Sequence, residues 1–181
     1  GATYQKKTIT EQDCALSYGA FNDGESGFLS LITLSGSAEK SLLRVRGSQP
    51  IVYASDNQII LGSEIGGWGW WGSHSEQQTV IHRFKFSESS SPYYADSVAV
   101  AGNLINSFSL SEHNGYVRVA TTVRRDWQDR ASVDTNHLFI LGEENGKFDV
   151  ISSLENIAPG ETIWAARFYQ DRAYLVTFER V

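Results

Sequence analysis

The chain has 181 residues, 41% hydrophobic, 20% charged and 12% aromatic, with 16 glycines against 3 prolines. That is enough for one compact domain rich in tight turns. A net charge of −6 argues against a nucleic-acid partner, whose binding draws on Lys and Arg at phosphates, and no apolar run approaches the roughly 18 residues that insert across a bilayer.

In chain order, residues 1–13 are polar, carry Lys6-Lys7, and are expected as an arm. Cys14 is the single cysteine; it cannot close an internal disulfide, has no base beside it in sequence, and reads as a buried structural thiol. From Ala15 onward, short runs of β-branched and aromatic residues alternate with Gly, Asn, Asp and Ser clusters, the signature of strands and turns. The runs predict strands over 28–34, 42–45 and 51–54, then 58–62, 79–86, 97–101 and 105–110. They continue over 116–123, 137–142, 148–152 and 162–169, and close with 174–178. Ser37 to Arg44 suits a helical turn or a hairpin equally, and no long window keeps the i, i+3, i+4, i+7 spacing of a helix. The class is all-β.

The pattern also repeats. Asp56-Asn57-Gln58-Ile59-Ile60-Leu61 matches His113-Asn114-Gly115-Tyr116-Val117-Arg118-Val119, and Gln170-Asp171-Arg172-Ala173-Tyr174-Leu175-Val176 opens a third copy. In the two full copies a polar, Trp-containing loop follows, 66–78 in one and 124–135 in the other. A period of this size with four strand-like runs per unit predicts a β-propeller-like array of about three four-stranded antiparallel blades. The expected units are 14–53, 54–110, 111–168 and the start of another at 169–181. Closed propellers have about 4–8 blades, so the array is expected to be part of a larger propeller or to complete itself by association. Open blade faces make a homo-oligomer a natural expectation.

Ser107 to Leu110 with Asn114 to Thr122, and Ile157-Ala158-Pro159-Gly160-Glu161-Thr162-Ile163-Trp164 running into Asp171 to Phe178, carry a family resemblance. Val52-Tyr53-Ala54-Ser55 adds to it. These segments resemble a secreted bacterial and archaeal family with a C-terminal β-propeller distantly related to WD40 repeats. The resemblance implies a secreted, cell-surface or periplasmic propeller domain, and blades continuing past the equivalent of Arg180-Val181. It carries over no catalytic residue.

The candidate sites are loops. Ile65 to Gly72 holds Trp68, Trp70 and Trp71 among four glycines. Such indoles either fold back over a blade edge, anchor a protein partner, or offer a platform to a sugar. Arg124 and Arg125 lie beside Trp127, with Asp126 and Asp129 interleaved. A guanidinium next to an indole can hold carboxylates, unless the loop's own carboxylates neutralise it. The four histidines lack metal-ligand spacing, and no nucleophile elbow or phosphate loop is present. No metal, cofactor or catalytic residue is therefore assigned. The expected role is a non-enzymatic protein-interaction or scaffolding module whose partner is a protein or a surface glycan. The alternatives are a glycan-binding module using Trp68, Trp70 and Trp71, or a glycan-active propeller enzyme drawing on carboxylates such as Asp96 and Asp149.

Overall fold

A computed structural model describes residues 17–18, 28–35, 38–46, 50–68, 74–87, 90–126, 129 and 131–179. The sequence-predicted arm at 1–13 and Cys14 lie outside the described residues. Among the described residues there are thirteen strands, one short 3-10 turn and no α-helix. The strands are β1 (Ser17–Tyr18), β2 (Phe28–Ser35), β3 (Ala38–Arg46), β4 (Ile51–Ala54), β5 (Gln58–Trp68), β6 (His74–Ser87) and β7 (Ser90–Ala101). After the turn η1 (Ser107–Ser109) come β8 (Leu110–His113), β9 (Tyr116–Val123), β10 (Thr135–Glu144), β11 (Lys147–Ile157), β12 (Glu161–Tyr169) and β13 (Arg172–Glu179).

They form four successive sheets. Two are complete four-stranded antiparallel meanders, β4-β5-β6-β7 and β8-β9-β10-β11. Before them stands the sheet β1-β3-β2, in which β1 runs parallel to β3, and after them the pair β12-β13. η1 touches β4, β9 and β12, and β7 touches β3 and β11, so each sheet packs on the next in the row. This is the arrangement of propeller blades, each too thin to bury both of its faces alone.

Strand chemistry fixes the packing. Along β9, Val117 and Val119 are fully buried and join Ile60, Ile81, Phe139 and Leu141 in the core between the two complete sheets. Leu43 and Val45 of β3 pack with Leu61 and Phe84 to join the first sheet to the second. Ala120, Ile163 and Ala166 do the same between the third and the last. Arg–Phe contacts reinforce these joints. Arg83 lies over Phe148 at 5.0 Å, Arg118 over Phe168 at 4.9 Å and Arg167 over Phe108 at 3.9 Å.

Two expectations change. The segment 105–110 is not a strand. Asn106 caps the turn by accepting from Phe108 N at 2.9 Å, and the preceding Leu104 is buried against Gly62, where any Cβ would lie 2.3 Å from Leu104 Cδ1. The polar stretch 66–78 is strand as far as Trp68 and again from His74, an extension of one long hairpin. Of the helical turn and the hairpin that 37–44 suited equally, the described residues 38–44 take the hairpin, with β2 and β3 meeting at Ser35 and Ala38. The sheets and the sequence repeats also differ in phase. β5, β9 and β13, at Gln58, Tyr116 and Arg172, coincide with the repeat landmarks, but each is the second strand of its sheet. Residues 162–169 therefore pair with β13 and not with β11.

Candidate binding face

The β5–β6 hairpin and the β9–β10 loop, which carry the sequence-predicted residues, emerge at the same end of adjacent sheets. Trp68 is the last residue of β5, opposite His74. Trp70, Trp71 and Trp127 lie outside the described residues. Arg124 and Arg125 follow the end of β9 and are exposed.

The two loops are tied together at their bases. Gln77 of β6 donates from Nε2 to the Arg124 carbonyl at 2.8 Å and accepts at Oε1 from Arg124 N at 3.0 Å. Gly102 N donates to the Gln77 carbonyl at 2.7 Å, and Asn103 exchanges backbone bonds with Thr122 at 2.9 and 3.0 Å. One glutamine side chain thus holds both backbone polar groups of Arg124, at the end of a strand in the next sheet. The Arg124 guanidinium makes no ion pair among the described residues. Its charge pulls the Glu64 carboxyl down, against the larger effect of burial, which holds that group above the usual range.

Asp134 anchors the far end of the arginine loop. It accepts from Arg125 N at 2.8 Å and from the Thr162 hydroxyl at 2.5 Å, and its carbonyl takes Gly160 N at 2.8 Å. Within the loop, Asp129 accepts from Ala131 N and Asp126 N donates to the Ser132 hydroxyl, both at 2.9 Å. These acceptors shape the loop's own backbone. Gly160 has φ of +88°, the left-handed geometry expected of the Pro159-Gly160 turn.

Beneath lies Asn136, fully buried. Its Nδ2 donates to the carbonyls of Ile157 and Glu161, and its Oδ1 accepts from the Thr122 hydroxyl and Ile163 N, at 2.7–3.1 Å. A cleft of about 490 Å³ opens above it, lined by Asn103, Thr122, Arg124, Thr162, Trp164 and Phe178 among others. Trp164 is 74% exposed, and its ring lies 6.4 Å from that of Phe178, tilted by 55°. Sequence reasoning named Arg124 but missed Trp164, Phe178 and Asn136. The signal for Trp164 was its alternation with the buried Ile163, which turns the indole outward.

The carboxylates weighed for glycan chemistry sit elsewhere, on the last strands of their sheets. Asp96 on β7 accepts from Ser97 N at 2.8 Å and from Phe148 N at 3.0 Å. Asp149 on β11 accepts from Val150 N at 2.7 Å. Glu143, in the acidic turn before Asn145 and Gly146, is paired with Arg83 and Lys85, and the Lys85 hydrogen bond leads in holding its carboxyl low.

Stacked antiparallel sheets with their connecting loops gathered at one end define a propeller-type domain. A family model described as a beta propeller domain matches residues 5–181, and the chain belongs to that family. Over 80 residues it is 42% identical to an uncharacterized protein of Methanocaldococcus jannaschii, covering 44% of this chain and 12% of that protein. Over 82 residues it is 43% identical to an uncharacterized protein of Archaeoglobus fulgidus, covering 45% of this chain and 12% of the relative. The match thus spans about one eighth of each relative's length. No solved structure matches the chain.

Proposed function

We propose that this propeller domain is a binding module that takes a protein partner on the face formed by Arg124, Arg125 and the end of the Trp68 hairpin. The observation that carries the reading is the two-point clasp of Gln77 on the backbone N–H and C=O of Arg124. It fixes the root of the arginine-bearing loop to the neighbouring sheet, so the loop is presented without a large ordering cost on binding. Exposed aromatic surface at Trp164 and Phe178 adjoins a guanidinium with no ion-pair partner among the described residues, and this suits a segment in which a carboxylate neighbours an apolar side chain. The family resemblance supports an extracytoplasmic setting for that encounter.

The test is an array of peptides with Asp or Glu beside Leu, Phe or Tyr, probed with the wild-type chain and with Arg124→Glu/Arg125→Glu. We expect a subset of peptides to bind the wild type and to lose at least about tenfold in affinity with the double variant, at unchanged melting temperature. Equal binding by both chains, or no binding by the wild type, refutes the assignment.

A further inference from the structure

At the end of the second sheet opposite Trp68, a cleft of about 390 Å³ is lined by Asn57, Gln58, Arg83, Lys85, Phe86 and Tyr93 among others. Its walls are held by backbone. Ser55 N donates to the Gln58 carbonyl at 2.9 Å and Phe86 N to the Asn57 carbonyl at 3.0 Å, which closes the β4–β5 turn and ties it to the end of β6.

Gln58 and Arg83 are 2% and 6% exposed, and Arg83 Nε donates to Gln58 Oε1 at 2.7 Å. That bond fixes the orientation of the amide, because its oxygen must face the guanidinium. Gln58 Nε2 is then turned away, with no acceptor among the described residues. The nitrogens sealed without a partner are His82 Nε2, Arg118 Nε and His137 Nδ1; Gln58 Nε2 is not one of them and opens to the cleft. A donor left in this way on a buried side chain calls for an acceptor.

The cations beside it share one carboxylate. Arg83 Nη1, at 3.1 Å, and Lys85 Nζ both reach Oε1 of Glu143, at the end of β10 in the third sheet. The Glu143 side chain is 53% exposed, so it enters from the rim and can swing out by bond rotation. Asp96 is the other carboxylate whose charge Glu143 feels, and it is taken up by Ser97 N and Phe148 N. With both carboxylates in place the cluster is neutral; with Glu143 swung out, one positive charge is left over. That surplus suits a monoanion better than the dianion of a phosphate. The Tyr93 ring, 53% exposed on the same cleft, offers a flat apolar wall.

We propose that this cleft binds a sugar acid, which displaces Glu143. The carboxylate of the sugar takes the place of Glu143 Oε1 between Arg83 and Lys85, a ring hydroxyl accepts from Gln58 Nε2, and the apolar face of the ring lies on Tyr93. The cleft has the size of a small-molecule site, roughly 300–1,000 Å³, and stands apart from the face at Arg124. Glu143 is a built-in competitor that keeps the two cations paired while no sugar is bound.

The test is calorimetric titration of the full chain with glucuronate, with glucose, acetate and inorganic phosphate alongside. Glucuronate is expected to bind, and glucose and acetate to bind at least about tenfold more weakly, since each lacks part of the contacts. Glu143→Gln should tighten glucuronate about fivefold by removing the competitor. Lys85→Gln should weaken it about tenfold, and Tyr93→Ala should weaken it as well, each at a melting temperature that shows a folded chain. Absence of saturable glucuronate binding by both the wild type and Glu143→Gln overturns the proposal. Acetate or phosphate binding as tightly as glucuronate overturns it too. So does a Glu143→Gln chain that binds glucuronate no better than the wild type, which would make the Arg83, Lys85 and Glu143 cluster purely structural.

Discussion

At the scale of the residue, the buried polar side chains decide most. The His82 ring has no solvent exposure, shares one hydrogen bond at 3.1 Å with the Tyr94 hydroxyl, and leaves Nε2 without a partner among the described residues. Burial lowers its pKa to about 4. An unfolded histidine titrates near 6.5, so between about pH 6.5 and 4 the unfolded chain takes up a proton that the folded chain refuses. Stability therefore falls as the solution is acidified through that window and is unaffected by this group above it. His137, also lowered by burial, acts in the same direction. From the His82 shift alone we expect a loss of about 2 kcal/mol between pH 7 and pH 5. Urea midpoints for the wild type and His82→Gln at both pH values isolate the effect, since every other titrating group is common to the two chains. An equal loss in both would show that His82 is not the group responsible.

At the scale of the element, the joints between sheets are set by close backbone approach. Gly102, in the crossover from β7 to η1, has φ of +83°, and a Cβ there would lie 2.8–3.0 Å from backbone atoms of Thr122 and Val123. Gly115, in the β8–β9 hairpin, has the same φ but open space around it. Gly115→Ala should cost about 1 kcal/mol, from backbone strain alone. Gly102→Ala should cost about 3 kcal/mol, because the chain must also move away from Thr122. Chemical denaturation of the two variants measures the difference; equal costs would show that the crossover yields freely.

Much of this level was legible in the sequence, and the failures have physical causes. β5 and β9 announced themselves because Asn57 and the Asn114-Gly115 pair mark the turns ahead of long apolar runs. β4 and β8, with 4 residues each, are too short to show a period, so the repeat was read one strand out of phase. The first half of β7 carries Pro92 after two serines and resembles a loop, but an edge strand tolerates a residue that cannot donate. At the candidate site the charged loop was readable from Arg124 and Arg125. Asn136 was not, because its partners come from β9, the end of β11 and β12, as much as 27 residues away.

At the scale of the molecule, stability is distributed like that of a short row of stacked units. The core between the complete sheets holds ten buried residues, whereas Leu43, Val45, Leu61 and Phe84 are the buried residues that hold the first sheet to the second. Leu43→Ala removes a buried side chain from the smaller cluster, at a cost of about 2–4 kcal/mol. We expect hydrogen exchange to quicken in β2 and β3 while β9 and β10 keep their protection. Equal loss of protection across all four would instead mean that the array unfolds as one cooperative unit.

The Gln77 clasp gives the joint a mechanical character. Because it spans two sheets, a change in the angle between them would strain the bonds that set the start of the Arg124 loop. By linkage, a partner that prefers one posture of that loop must stiffen the hinge between the sheets to the same extent in free energy.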